Sequence, residues 1–134
     1  MKRDRSNAGA KLSIPEPREG TEGTLLALQS TAAGTWEIRP LTSEHRLSLQ
    51  SRELLGIGRY EPVSIRRLLA ALHPDDREIW KDAVARALDP ERRGHCFAEF
   101  RTAGPAERWL AASGYAFFEG LRAVRVFGTL HPIE

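Results

Sequence analysis

The densest run of chemistry-bearing side chains is His73-Pro74-Asp75-Asp76. An imidazole beside two carboxylates is raw material for acid–base work, where environment pushes two acids apart. Adjacent helix positions do not face each other, however. A proline in a first turn and acids at the positive end of a helix explain the same run as a helix start. Spacing places no nucleophile beside it, and there is no Gly-x-Ser-x-Gly elbow. His95 and Cys96 are neighbours and point to opposite faces of a strand. No two His or Cys share ligand spacing, so no metal site is expected. A redox role for Cys96 needs an acidified, exposed thiolate; within a strand it reads as an inert apolar residue. Gly56-Ile57-Gly58 leads into Arg59-Tyr60-Glu61 without a preceding parallel strand, which excludes a dinucleotide loop. No catalytic residue is assigned. A small α+β cone enzyme with a reaction cavity is the third-ranked alternative. It requires a buried acid or tyrosine with a perturbed pKa, and Tyr60 and Tyr115 neighbour no obvious acid.

The elements that would position these residues follow from periodicity. Residues 1–21 lack it, carry Pro15 and Pro17, and read as a flexible leader. Residues 22–32 predict a short helix with a thin stripe of Leu25, Leu26 and Leu28. Thr35–Arg39 alternates with period two and predicts a strand. Arg46–Gln50 predicts a second, completing a hairpin. Ser51 caps a short helix ending at Gly56 or Gly58. Ile65, Leu68, Leu69 and Leu72 form a helical stripe. The helix begun by Pro74 runs to Leu88, with Ile79, Trp80, Ala83, Val84, Ala87 and Leu88 inward. Residues 95–102, 108–118 and 121–130 predict three strands joined by Gly104-Pro105 and Glu119-Gly120 turns. The order β-β-α-α-α-β-β-β predicts an α+β fold: a five-stranded antiparallel sheet with helices on one face.

The 134 residues suit one domain, taken here as 22–134 after the leader. The chain carries 20 Lys plus Arg and 18 Asp plus Glu, and the surplus of two lies within residues 1–20. The remainder is neutral, which argues against a nucleic-acid face. No run reaches membrane-spanning length. A lone Cys and a charged start without an apolar run predict a reducing, cytoplasmic setting.

The order and punctuation resemble a PAS domain, in particular the subgroup common in bacterial signalling proteins. The residues that carry the resemblance are Gly34-Thr-Trp36-Glu-Ile38 in the first strand and Ser51-Arg-Glu-Leu-Leu55-Gly56 in the first helix. Leu72-His73-Pro74-Asp75-Asp76-Arg77 stands at the long helix start. Phe97-Ala98-Glu99-Phe100-Arg101, Arg108-Trp109 and Gly128-Thr129 follow in the last three strands. Two departures stand out. The turn after the third strand is Ala103-Gly104-Pro105-Ala106 in place of Asp-Gly or Asn-Gly. At the end, Pro132 and Glu134 occupy the places of the family's junction Asp and Thr.

The resemblance implies a sensory or regulatory module in bacterial signal transduction. Such a domain binds a small ligand between sheet and helices, or dimerises, to relay a signal to an effector in cis or in trans, such as a histidine kinase or diguanylate cyclase. A ligand-free interaction module is the alternative. The expected pocket is Trp36, Ile38, Leu55, Leu72, Trp80, Val84, Phe97, Trp109 and Phe117. The expected homodimer interface is Leu25, Leu26 and Leu28. No cofactor is expected. The flavin branch of the fold needs an Asn-Cys-Arg-Phe-Leu-Gln helix, and the chain's only Asn is Asn7. Heme sensors of the fold commonly use a His on the long helix, and residues 77–88 contain none. Ala111-Ala112-Ser113-Gly114 leaves room on the fourth strand for a ligand or a close helix.

Overall fold

The structure is a computed structural model and describes residues 33–92 and 94–133. The predicted leading helix, 22–32, lies outside the described residues.

Gly34–Arg39 (β1) forms where period-two alternation predicts it, burying Trp36 and Ile38. Its hairpin partner is Glu44–Leu47 (β2), which pairs Trp36 with Leu47. The second strand therefore stops short of the expected Arg46–Gln50. The reason is a cap. The Ser48 hydroxyl accepts from the Ser51 amide at 3.3 Å and starts helix α1 at Leu49–Leu55. Ser51, expected as the cap, is instead fully buried and donates to the Thr35 carbonyl at 2.7 Å. The Thr35 amide in turn donates to the Ser48 hydroxyl at 3.0 Å, which staples α1 to β1. Gly56 closes α1 at φ 74°, a left-handed conformation that glycine adopts without steric cost.

Ser64 caps α2, Ile65–Ala70, which buries Leu68. A single 3-10 turn, Pro74–Asp76, leads into α3, Arg77–Leu88. Trp80, Ala83 and Ala87 are buried on α3, and Val84 and Leu88 pack partly against the core. Ile79, expected inward, is exposed, because a seven-residue helical repeat cannot bring both Ile79 and Trp80 to the centre of one narrow face.

His95–Arg101 (β3), Trp109–Glu119 (β4) and Arg122–Pro132 (β5) complete the sheet in the order β2-β1-β5-β4-β3, antiparallel throughout. The first hairpin thus joins the last strand, as one sheet requires. Cys96, Ala98 and Phe100 of β3 share the core with Leu110 and Ala112 of β4 and Val126 and Leu130 of β5. Helix α3 packs against β3, β4 and β5, and α1 against β1, β2 and β5, so the helices cover one sheet face. At the centre Gly114 faces Gly128 across β4 and β5. A Cβ on Gly128 would meet the Ser113 carbonyl and lie 2.7 Å from the Trp36 ring, so the small residue there admits the indole.

Candidate functional site

Strand alternation and helix placement converge on one apolar cavity of about 20 Å3 between sheet and helices. Trp36 and Ile38 enter from β1, His45 and Leu47 from β2, and Phe100, Ala112 and Leu130 from the other three strands. Leu55 comes from α1, Leu68 from α2, Trp80 from α3, and Leu72 from the link between α2 and the 3-10 turn. Glu37 completes the wall on β1. Its carboxylate is engaged by Arg125 and Arg39, each at 2.9 Å. His45 and Leu47, on edge strand β2, are half-buried and form the rim.

The two indoles in the lining meet edge to face, with centroids 5.2 Å apart at 80°, and Trp80 makes a similar contact with Phe100 at 5.9 Å. Trp36 donates its Nε1–H to the Thr129 carbonyl at 2.8 Å, which fixes it over β5. Trp80 is held from below by the start of α3. There the Asp76 carboxylate is buried and accepts from the Arg101 amide, Nε and Nη2, each at 2.8 Å. The Arg101 guanidinium holds this carboxyl down at about 2. The His73 Nδ1 accepts from the Asp75 amide at 3.1 Å and caps the 3-10 turn. The run that could have done acid–base chemistry is thereby committed to joining α3 to β3.

Of the nine expected pocket residues, Trp36, Ile38, Leu55, Leu72 and Trp80 line the cavity. Val84 packs behind it against the core. Phe97, Trp109 and Phe117 belong to the opposite sheet face and require correction. Phe97 and Trp109 are each 48% exposed. Trp109 lies beside the Arg101 guanidinium, 5.2 Å from its ring centroid, and Phe117 lies against that of Arg125 at 5.6 Å. The physical reason is strand parity. Once Cys96, Ala98 and Phe100 face inward, Phe97 cannot, and the β3–β4 register carries the same parity to Trp109 and Phe117. Leu68, Phe100, Ala112 and Leu130 were not among the expected residues; inward strand parity was the signal that could have found the last three, and the helical stripe of α2 the signal for Leu68. Leu25, Leu26 and Leu28 lie outside the described residues.

Cys96 is buried, and burial pushes its thiol up to about 11. No group of three or more metal-ligating side chains occurs among the described residues.

No protein-family model matches the chain. It is 37% identical over 87 residues to the sensor protein FixL of Bradyrhizobium diazoefficiens, a match covering 63% of this chain. The chain spans only 17% of that relative's length. Among solved structures, it resembles a sensory box histidine kinase/response regulator from Burkholderia thailandensis. Identity is 26% and the TM-score 0.65, covering 81% of this chain and 82% of that one. It also resembles the PAS domain of a Colwellia psychrerythraea protein, at 18% identity and a TM-score of 0.60, over 86% of this chain and 98% of that one. Sheet order, capped long helix and these similarities together give the chain the fold of a PAS domain, and it is similar in sequence to sensory proteins of signal transduction.

Proposed function

We propose that this domain senses a small molecule held in the apolar cavity and, as a homodimer, relays its occupancy to a signalling effector in cis or in trans. The cavity carries this reading. Well-packed cores keep few voids, and this one, about the size of a water molecule, lies where all five strands and three helices meet. A molecule that prefers one placement of α3 against the sheet shifts the population toward it. Asp76 and Arg101 then couple α3 to β3, and the sheet carries the change to β5. The similarity to a sensor protein and a histidine kinase supports an effector of that class.

No cofactor is assigned. Helix α3 offers no His, and the one imidazole of the lining, His45, lies on the rim with its Nδ1 3.2 Å from the Ser43 carbonyl. A tetrapyrrole or an isoalloxazine far exceeds the space. No catalysis is assigned to the domain itself, and a cytoplasmic setting is proposed. No helix among the described residues is long and apolar enough to cross a membrane.

Thermal melting across a panel of small neutral metabolites tests the sensor. At least one compound should raise the Tm of the wild type but not of Ala112→Leu, which fills the cavity. A flat panel contradicts it. The alternative, a ligand-free interaction module, is favoured by the exposed aromatics Phe97, Trp109 and Tyr115 on the outer sheet face. For the homodimer, the proposed contacts are Leu25, Leu26 and Leu28. Deleting residues 1–32 should lower the solution mass from dimer to monomer by light scattering, and an unchanged mass removes that interface.

A further inference from the structure

The sheet has two edges, and they are guarded unequally. One is β2, four residues long, with Glu44 and Arg46 paired to each other along it. The other is β3, seven residues long, with no proline, lysine or bulge between His95 and Arg101. Such devices are what normally keep a free edge from pairing with another chain.

Two contacts fix which backbone groups of β3 face outward. Gly94 accepts from the Ala116 amide and Thr102 donates to the Arg108 carbonyl, each at 2.8 Å, so the even-numbered residues bond to β4. The odd-numbered residues turn their N–H and C=O away from it. At Arg101 both groups are used. The amide donates to the Asp76 carboxylate and the carbonyl accepts from the His73 amide, each at 2.8 Å. At His95, Phe97 and Glu99 neither group has a hydrogen-bond partner among the described residues. All three residues are exposed, and their side chains stand on the outer sheet face.

The order of side chains along this stretch complements itself. In an antiparallel pair centred on Phe97, that ring meets its own copy, and His95 meets Glu99 on both sides of it. An aromatic pair flanked by two imidazole–carboxylate pairs makes favourable cross-strand neighbours. Each facing pair exchanges two N–H···O=C bonds, so every idle backbone group is used. Other registers do worse. Centring on Ala98 sets His95 against Arg101, whose backbone is already engaged. Centring on Cys96 sets Glu99 against a position before the strand begins.

We propose that β3 is the sheet-edge contact of a twofold homodimer, formed by antiparallel pairing of His95–Glu99 with the same segment of a second copy. The proposal rests on the homodimer reading and gives it an interface within the described residues. The contact is short, so the dimer dissociates on dilution.

Amide hydrogen exchange of the full-length chain tests it, followed by NMR in a concentrated sample and after roughly hundredfold dilution. Analytical ultracentrifugation gives the mass of the same samples. In the concentrated dimer, the His95, Phe97 and Glu99 amides should exchange about tenfold more slowly than in the dilute monomer. Phe97→Pro should stay monomeric, because it removes an outward N–H that the fold itself does not use. Where that variant folds poorly, exchanging charges gives the same answer. His95→Glu sets like charges against Glu99 and should weaken the dimer, and adding Glu99→Lys should restore it. The two positions lie too far apart along one strand to meet, so the rescue acts only between copies. A dimer whose three amides exchange fast overturns the edge contact, leaves the homodimer standing and frees the edge for a different partner strand. Slow amides in a monomer show the edge covered within one chain and overturn the contact as well. A monomer at every concentration overturns both the contact and the homodimer.

Discussion

Asp76 shows how a single residue can tie a helix to a sheet. Its carboxyl falls from 3.8 to about 2 because Arg101 bonds the charged form. A lowered folded-state value stabilises the fold above the unfolded value and loses that stabilisation as pH drops through the folded one. Asp76 should therefore contribute on the order of 1–2 kcal/mol at neutral pH, fading between about pH 4 and pH 2. Urea unfolding should find Asp76→Ala about 2 kcal/mol less stable at pH 7, with the gap to wild type closing at pH 2. A gap that persists at pH 2 would show that the carboxylate charge is not what matters. Cys96 makes the opposite case. With its thiol pushed up to about 11 by burial, it should resist a thiol reagent at pH 8 in the folded chain and react fully in denaturant. Rapid native-state labelling would contradict its inert role. The motif around Asp76 was legible in sequence as a helix start. Its partner was not, because Arg101 lies 25 residues away and only the sheet brings the two together.

The elements owe their placement to short-range signals, and their errors have equally local causes. Alternation located β1, and a helical stripe located α3. Leu47 and Leu49 also alternate, and they imitated a strand across what is the cap of α1. Ser48 decides the matter, because its hydroxyl serves both the Ser51 and the Thr35 amides. Ser48→Ala should cost about 1–2 kcal/mol, more than an ordinary cap because two donors lose their acceptor. A loss below 0.5 kcal/mol, on the scale of roughly neutral surface changes, would mean the staple is idle. Gly128 marks the closest approach in the sheet. Gly128→Ala places a methyl against the Ser113 carbonyl and the Trp36 ring, so the soluble yield or the Tm should fall sharply, whereas exposed Gly58, where a Cβ would meet only the Glu61 side chain at 3.4 Å, should tolerate the same change better. Phe97, Trp109 and Phe117 are as large and apolar as core aromatics, yet lie on the outer sheet face. Size does not report which sheet face a residue occupies, whereas parity with Cys96, Ala98 and Phe100 does.

For the molecule as a whole, the number and order of strands were legible because turns and caps punctuate the chain. The cavity was only half legible. Trp36, Leu72 and Trp80 could be placed from their elements, but a void depends on how α1, α2 and α3 settle over five strands. Ala112 illustrates the limit: its smallness was visible in sequence, yet it becomes a cavity wall only through a register that sets it beside Leu130 of β5, with Phe100 one inward position along β3. Whether that void exists to be occupied is most directly tested by native mass spectrometry of freshly purified protein beside its denatured mass, with Ala112→Leu as the comparison. The wild type should carry a small added mass that denaturation releases, and Ala112→Leu should carry none. Bare protein in both, or the same adduct on both, would contradict a ligand in the cavity.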